Sequence, residues 1–404
     1  MELIAGQVMK RRWINAFVGD QATVLVKAKI QEFRARRDAF RYFCKARLLG
    51  VHPLSEAGLT AALRARLGSR CKQHGWPKQK GSLHIFLCYT FNNWEARLPE
   101  ALGVFGKVSQ FEWRSAGYDD RKMDWVSHRD SMNRAMLDAF HAANAERPVD
   151  VVIGFLSGYT AAPETIAEIT QLGAVVLNCC FDDKLGFPGL RIEGRYSSTA
   201  GIAHAVDLNL TSAPESLVKY AVHGGLALFA PEAADPEVHR PYDVPYKYDI
   251  SFVGGNYGKR GILIRKLAEL GIKVECFGAG WPNGPVSDEE MVKIYSRSRI
   301  NLGFAGIGYS DRLMCLKGRD FEVPMSGGLY LTQHNPELEL VYEIGKEIVT
   351  YRDVKDCASK IQELLRQPEH AEAIRQAGRA RCLRDHTYEA RWTKVLTLVG
   401  ILEG

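Results

Sequence analysis

One ten-residue segment concentrates the chemistry of this chain: Arg319-Asp320-Phe321-Glu322-Val323-Pro324-Met325-Ser326-Gly327-Gly328. Glu322 stands on a short amphipathic run that ends in a glycine pair, and the strand-like Leu329-Tyr330-Leu331-Thr332 follows. Lys317 and Arg319 lie just upstream. A carboxylate can accept hydrogen bonds from two vicinal hydroxyls, and cations can hold phosphate. A site with both suits a nucleotide sugar. The plainer alternative is a surface helix with an ordinary salt bridge and a glycine C-cap.

A second candidate is Asp249-Ile250-Ser251-Phe252-Val253-Gly254-Gly255-Asn256-Tyr257-Gly258-Lys259-Arg260, which reads as strand, glycine turn and helix start. Backbone N–H groups at such a start favour an anion, and glycine lets it come close. Gly254, Gly255, Asn256 and Arg260 are the expected contacts there, with Lys259 adding charge. The Gly-Lys-Ser/Thr order of a Walker A loop is absent, and the glycine spacing is not GxGxxG. Gly278 and Trp281 follow the next strand, where an indole can stack a base or pack into the domain. The glycine-rich loop from Gly303 to Asp311 can approach a sugar or a diphosphate.

The first half of the chain offers a different set. Asn92 and Asn93 follow the first strand and are expected on the acceptor side. Asp182 and Asp183 follow the third strand and are candidates for a general base toward an acceptor hydroxyl. Paired aspartates can also hold a divalent cation or simply shape a turn. His128 is a further candidate for proton transfer, as is His204; a structural role is open for both.

These residues need elements to position them. From Leu83 onward, short apolar runs alternate with helical stretches: Leu83–Cys88, Val149–Phe155, Ala174–Asn178, Ala205–Leu210 and Leu226–Phe229. Residues 231–247 are rich in proline and read as an extended linker. The alternation then restarts at Tyr248–Val253, Lys273–Phe277, Arg299–Leu302, Gly328–Leu331 and Glu347–Thr350. Such a pattern implies an α/β protein with parallel sheets, whose ligands bind beyond the carboxyl ends of the strands. Residues 1–80 read as a basic helical extension, 81–235 as one Rossmann-like domain, 236–385 as a second, and 386–404 as a C-terminal helix packing back toward the first domain. Two facing halves would enclose a cleft.

With 404 residues the chain is long enough for two domains, and its 46% apolar residues suit a globular protein. Its net charge of +6 hides an asymmetry: residues 1–80 carry 17 Lys/Arg against 5 Asp/Glu, and the remainder carries 36 against 42. Those basic residues are spread rather than clustered, which fits a solvated helical face; peripheral contact with a membrane or a partner protein is the alternative. Nucleic acid is not expected. The scattered cysteines and the lack of a leader-like N-terminus or a long apolar run point to the cytoplasm, with attachment at the inner membrane face as the variant of that reading.

In order and spacing, several segments resemble the spore-maturation-type (CgeB-like) branch of the group 1 glycosyltransferases. They are Phe229–Pro236, Tyr248–Gly254, Phe277–Trp281, Arg319–Gly328 and His386–Arg391. The resemblance implies a GT-B architecture and transfer of a sugar from a nucleotide-diphosphate sugar, UDP-sugar by default, to a glycan, protein or lipid-linked acceptor hydroxyl. It implies a donor site in the second half: Glu322, five residues before Gly327, on the ribose, and Arg260 on the diphosphate, with Lys317 and Arg319 as further cations. Gly328 completes the glycine pair. No bound metal or other cofactor is implied, because basic side chains and a helix start neutralise the leaving diphosphate. Where the family pattern has a first glutamate, eight residues before Glu322, this chain has Met314. That departure admits a second reading, a catalytically degenerate GT-B protein that binds a nucleotide or glycan within an assembly.

Overall fold

The computed structural model describes residues 21–90 and 97–404. All strand pairs of its two main sheets are parallel, and the chain divides into two units. One unit holds residues 38–231 and 388–404. The other holds 232–387 and, of the described N-terminal residues, 21–37. The division therefore falls within the first long helix, α1 (Gln21–Leu49).

In the N-terminal unit, helix α2 (Glu56–His74) starts on a Ser55 cap, ends at the left-handed Gly75, and buries Leu59, Leu63 and Leu67 at four-residue spacing. The sheet comprises β1 (Leu83–Tyr89), β2 (Gly106–Glu112), β3 (Val151–Gly154), β4 (Val175–Cys180), β7 (Leu208–Thr211) and β8 (Ala227–Phe229). A short hairpin, β5 (Arg191–Ile192) and β6 (Arg195–Tyr196), interrupts the sequence between β4 and β7. The strand order is β2-β1-β3-β4-β7-β8, so the winding reverses between β1 and β3. Helices α3 (Leu98–Leu102), α4 (Trp125–Glu146), α5 (Pro163–Gln171) and α6 (Leu217–Val222) connect the strands. β1 and β3 are buried along their whole length, as their continuous apolar runs require.

Two buried carboxylates tie the basic helical segment into this sheet. Asp150 accepts hydrogen bonds from Trp76 Nε1 at 2.8 Å, Lys78 Nζ at 2.6 Å and His84 N at 2.8 Å. Asp207 receives both arms of the Arg70 guanidinium, at 2.9 and 2.6 Å, and the Val176 N–H. Part of the basic charge of residues 1–80 thus serves internal pairing rather than solvent.

The C-terminal unit orders its strands β10-β9-β11-β12-β13. They are β9 (Tyr248–Val253), β10 (Glu275–Phe277), β11 (Ser298–Leu302), β12 (Tyr330–Gln333) and β13 (Val349–Tyr351); α7 (Arg260–Glu269), α8 (Asp288–Arg297) and α9 (Arg319–Met325) join the first four, and α10 (Val354–Arg366) and α11 (Pro368–Asp385) follow the last. Here the order reverses between β9 and β11. Gln31 and Glu32 of α1 join this unit by accepting hydrogen bonds from Tyr309 N at 2.9 Å and Ser310 Oγ at 2.8 Å. The last helix, α12 (Tyr388–Val399), belongs instead to the N-terminal unit, where Glu389 pairs with Lys80 and Lys78 N donates to Ile401 O.

Candidate donor site at the strand ends of the C-terminal unit

Parallel strands joined by helices bring the β9–α7 turn, the turn after β10 and the start of α9 to the carboxyl edge of one sheet. The two turns zip together: Gly254 N donates to Phe277 O and Asn256 N to Ala279 O, each at 2.8 Å. Asn256 Nδ2 also reaches Gly280 O at 3.1 Å, and the Trp281 indole N–H donates to Gly254 O at 2.8 Å. Trp281 therefore braces the turn, with its ring edge-on to Phe252. Gly278 lies so close that a Cβ would press on the Gly254 carbonyl. At Gly254 a Cβ would stand 2.9 Å from the Arg319 guanidinium, which places the start of α9 beside the end of β9.

Two guanidiniums meet there. Arg260, the first residue of α7, is buried; it donates to Gly255 O at 2.8 Å and to the Tyr257 hydroxyl at 2.6 Å. Arg260 and Arg319 each lie 5.4 Å from the centre of the Phe252 ring, and Arg260 also stacks 3.8 Å over the ring of Tyr257. The Nε of each arginine is shut from solvent without a hydrogen-bond partner. Neither makes an ion pair within 4 Å among the described residues. Burial, with Arg319 nearby, pulls the Arg260 guanidinium down to about 10, so both remain cations at neutral pH. Cation–π contact offsets part of the cost of burying such charges, and an anion would offset more. The N-terminus of α7 has no side-chain cap, so its first N–H groups point the same way electrostatically. Lys259 is different: it is neutralised by Asp311 at 2.6 Å.

The Arg319–Gly328 segment separates into scaffold and surface. Asp320 is buried and saturated, accepting from Lys317 N at 2.7 Å and Tyr330 OH at 2.8 Å, and its burial raises its carboxyl pKa. Glu322 is half-buried and turns back along the helix, its Oε1 2.7 Å from where a Gly318 side chain would begin. A Glu232 carboxylate oxygen stands 3.6 Å from the same point, so Gly318 leaves room for two acids side by side. Gly327 (φ 72°) and Gly328 end α9 as a Schellman motif: Gly328 N donates to Val323 O and Gly327 N to Pro324 O. Their positions are thus explained by helix termination. Lys317 Nζ rests 3.3 Å from Cys315 Sγ. Met314 sits in a backbone bridge with Gly306, within a loop that Ser310 folds onto itself through the N–H groups of Arg312 and Leu313.

The candidates of the N-terminal unit are not gathered in this way. Asp183, expected as a general base, is 1% exposed, and its oxygens accept hydrogen bonds from Thr211 Oγ1 at 2.9 Å and Tyr220 OH at 2.6 Å. Burial pushes its carboxyl up to about 6 against those hydrogen bonds. Asp182 next to it is exposed. His128 lies exposed in the first turns of α4, 3.2 Å from Asp124, and His204 is exposed as well. Asn92 and Asn93 lie outside the described residues. The sequence reading missed Phe252 and Tyr257, which seat the guanidiniums, and Glu232; the alternation of β9 marks Phe252 as inward-facing but not as a platform.

Comparison with known proteins bears on this geometry. Residues 260–397, less than half the chain, match the family described as glycosyl transferase-like. No curated sequence matches. Among solved structures, a sucrose-phosphate synthase from Thermosynechococcus elongatus is similar at 14% identity and a TM-score of 0.56, covering 78% of this chain and 98% of its own. A glycosyltransferase from Rickettsia africae reaches 0.53 at 12% identity, covering 79% and 98%. The Anabaena protein HepE, solved with UDP and glucose, reaches 0.51 at 10% identity, covering 78% and 99%. Identities this low speak to the fold alone, and that fold is GT-B: two Rossmann-like α/β units with parallel sheets.

Proposed function

We propose that the protein is a glycosyltransferase that binds a nucleotide-diphosphate sugar, with UDP-sugar as donor, and moves its hexosyl group to an acceptor hydroxyl. The observation that carries this reading is the pair Arg260 and Arg319 at the end of β9, two cations with no ion pair within 4 Å among the described residues, beside the uncapped start of α7. In the proposed reaction the bond between the anomeric carbon and the diphosphate oxygen breaks, its electrons leave with the diphosphate, and the acceptor oxygen bonds to carbon while its proton passes to solvent water. The guanidiniums and the α7 N–H groups stabilise the charge that develops on the leaving diphosphate, so the reading calls on no metal. Glu322 takes the ribose hydroxyls, and the unit of residues 38–231 takes a glycan, protein or lipid-linked acceptor. The family match across Arg319 and Glu322, and the likeness in fold to HepE, a protein solved with UDP and glucose, support the same donor class. Placement within the CgeB-like branch, and in the cytoplasm with residues 1–80 as an attachment segment, belongs to this proposal. No helix among the described residues is long and apolar enough to cross a membrane.

A thermal-shift screen against UDP-, GDP-, ADP- and dTDP-sugars tests the reading, since a ligand of the native state raises its melting temperature. A rise with one nucleotide-diphosphate sugar and none with the free nucleoside is expected; no shift with any of them would remove the donor site. Met314, held in the bridge to Gly306 where the resemblance places a glutamate, favours one alternative, a GT-B protein that binds without transfer. Donor hydrolysis in the absence of acceptor separates the two, because a binding protein releases no free sugar.

A further inference from the structure

Helix α1 has two faces of different character. One is docked: Ala28, Glu32 and Tyr42 are buried, Glu32 bonds to Ser310, and Tyr42 bonds to His223 at 3.2 Å. These contacts fix the rotation of the helix about its own axis. With about 3.6 residues per turn, the positions opposite Ala28 are Val26, Ile30, Phe33, Phe40 and Leu48. All five are exposed, Phe33 by 67% and Phe40 by 68%. Exposed cations border that stripe on both sides, Lys29 and Arg36 along one edge and Arg34 and Arg41 along the other, with Arg37 inside it. The acids of the helix are Glu32, buried on the docked side and 3.5 Å from Lys29, and Asp38, partly buried on the flank. The outward face of a 29-residue helix therefore presents aromatic and aliphatic groups among positive charges and no negative one.

An apolar stripe on a surface, broken only by Arg37 between its two phenylalanines, calls for a covering. A second copy of α1 would meet it with cations on both flanks of both helices, which is the arrangement that opposes pairing. An anionic lipid surface satisfies both kinds of group. The rings and aliphatic chains enter the boundary between headgroups and acyl chains, and the Lys/Arg stems extend along it to keep their charges among anionic headgroups. We propose that the outward face of α1 lies in the plane of an anionic membrane surface. This deepens the attachment reading of the N-terminal segment and does not depend on the transfer reaction.

The test is flotation of the full chain with vesicles of phosphatidylcholine alone and of phosphatidylcholine mixed with phosphatidylglycerol. Binding to the mixed vesicles only, weakened by salt, is expected. The double variant Phe33→Ser/Phe40→Ser should lower the bound fraction at least tenfold, and Arg34→Gln/Arg37→Gln/Arg41→Gln should erase the preference for phosphatidylglycerol. These side chains are exposed, so both variants should keep the wild-type melting temperature and the wild-type shift with UDP. That UDP shift also separates a failure here from a failure of the donor site. Equal recovery with both vesicle types, or binding unaffected by the serine variant, overturns the proposal. So does a dimer in light scattering that the serine variant converts to monomer, since a second copy would then cover the face.

Discussion

Buried charges are handled in opposite ways in the two units. In the N-terminal unit, Asp150 and Asp207 are surrounded by donors from the chain itself: an indole, an ammonium, a guanidinium and backbone N–H groups. In the C-terminal unit, Arg260 and Arg319 share an aromatic platform, and no acid pairs with either within 4 Å among the described residues. A buried charge with all its partners is scaffold, and its removal harms folding. A buried charge lacking a counter-ion raises the energy of the empty protein and lowers that of a complex with an anion. The contrast thus separates residues that hold the fold from residues available to a ligand.

The largest effect tests the scaffold side. Asp150→Ala strands the Lys78 ammonium and leaves the Trp76 and His84 N–H groups without their acceptor. Breaking a buried pair of this kind costs about 3–5 kcal/mol. Urea unfolding should show that loss, with UDP affinity unchanged in the protein that remains folded. A stability close to wild type would mean that Asp150 is no more committed to the fold than Arg260.

Asp183 sharpens the contrast because it is satisfied yet strained. Its hydrogen bonds favour the carboxylate, but burial wins and lifts the group to about 6. A carboxyl raised above its unfolded value binds its proton more tightly in the folded state. Its contribution to stability is therefore full below the unfolded pKa of about 4 and is lost as pH rises through about 6. A shift of about two units corresponds to about 3 kcal/mol at most. Asp183→Asn should flatten that part of the pH–stability curve; equal slopes for the variant and the parent between those limits would remove the group from the account.

On the ligand side, Arg319→Met takes away one of the two cations. UDP binding should weaken by about 2–3 kcal/mol, the scale of hydrogen bonds to charged groups. Uridine binding should change little, and the melting temperature of the empty protein should hold or rise. A calorimetric titration in which UDP and uridine lose affinity equally would break the comparison, because the arginine would then act on shape rather than on charge.

Much of this frame was legible before the structure. Buried strands such as Leu83–Tyr89 and Val151–Gly154 announce themselves as apolar runs, because a parallel sheet covered on both faces has no polar side to write. Strand β2 was not legible. It is an edge strand whose Lys107, Ser109 and Gln110 keep partial solvent contact, so Gly106–Glu112 carries no apolar run even though it pairs with β1 along its whole length. The cluster proposed to hold the donor was legible as a set of glycines and cations at strand ends. What spacing could not reveal was which cation is neutralised. Lys259 and Arg260 are neighbours in sequence, yet only Lys259 meets an acid, and that acid, Asp311, comes from a loop beyond β11. Asp182 and Asp183 show the same limit: adjacent acids, one exposed and one enclosed by Thr211 and Tyr220.

The smallest effect concerns the two acids of α9, which repeat the comparison within a single helix. Asp320 is saturated by Tyr330 and the Lys317 N–H, whereas Glu322 lies half-buried beside Gly318. Asp320→Asn should therefore lower stability and spare affinity. Glu322→Gln should spare stability and weaken UDP binding by about 1–2 kcal/mol, since an amide offers one acceptor oxygen where a carboxylate offers two. The 2′-deoxy analogue of UDP makes this specific to the ribose. The parent protein should bind the deoxy compound more weakly than UDP, and the Gln variant should bind the two alike, because the interaction lost by the ligand has already been lost by the protein. If the variant still discriminates as strongly as the parent, the hydroxyl is read by another group, and Glu322 joins Asp320 as part of the scaffold.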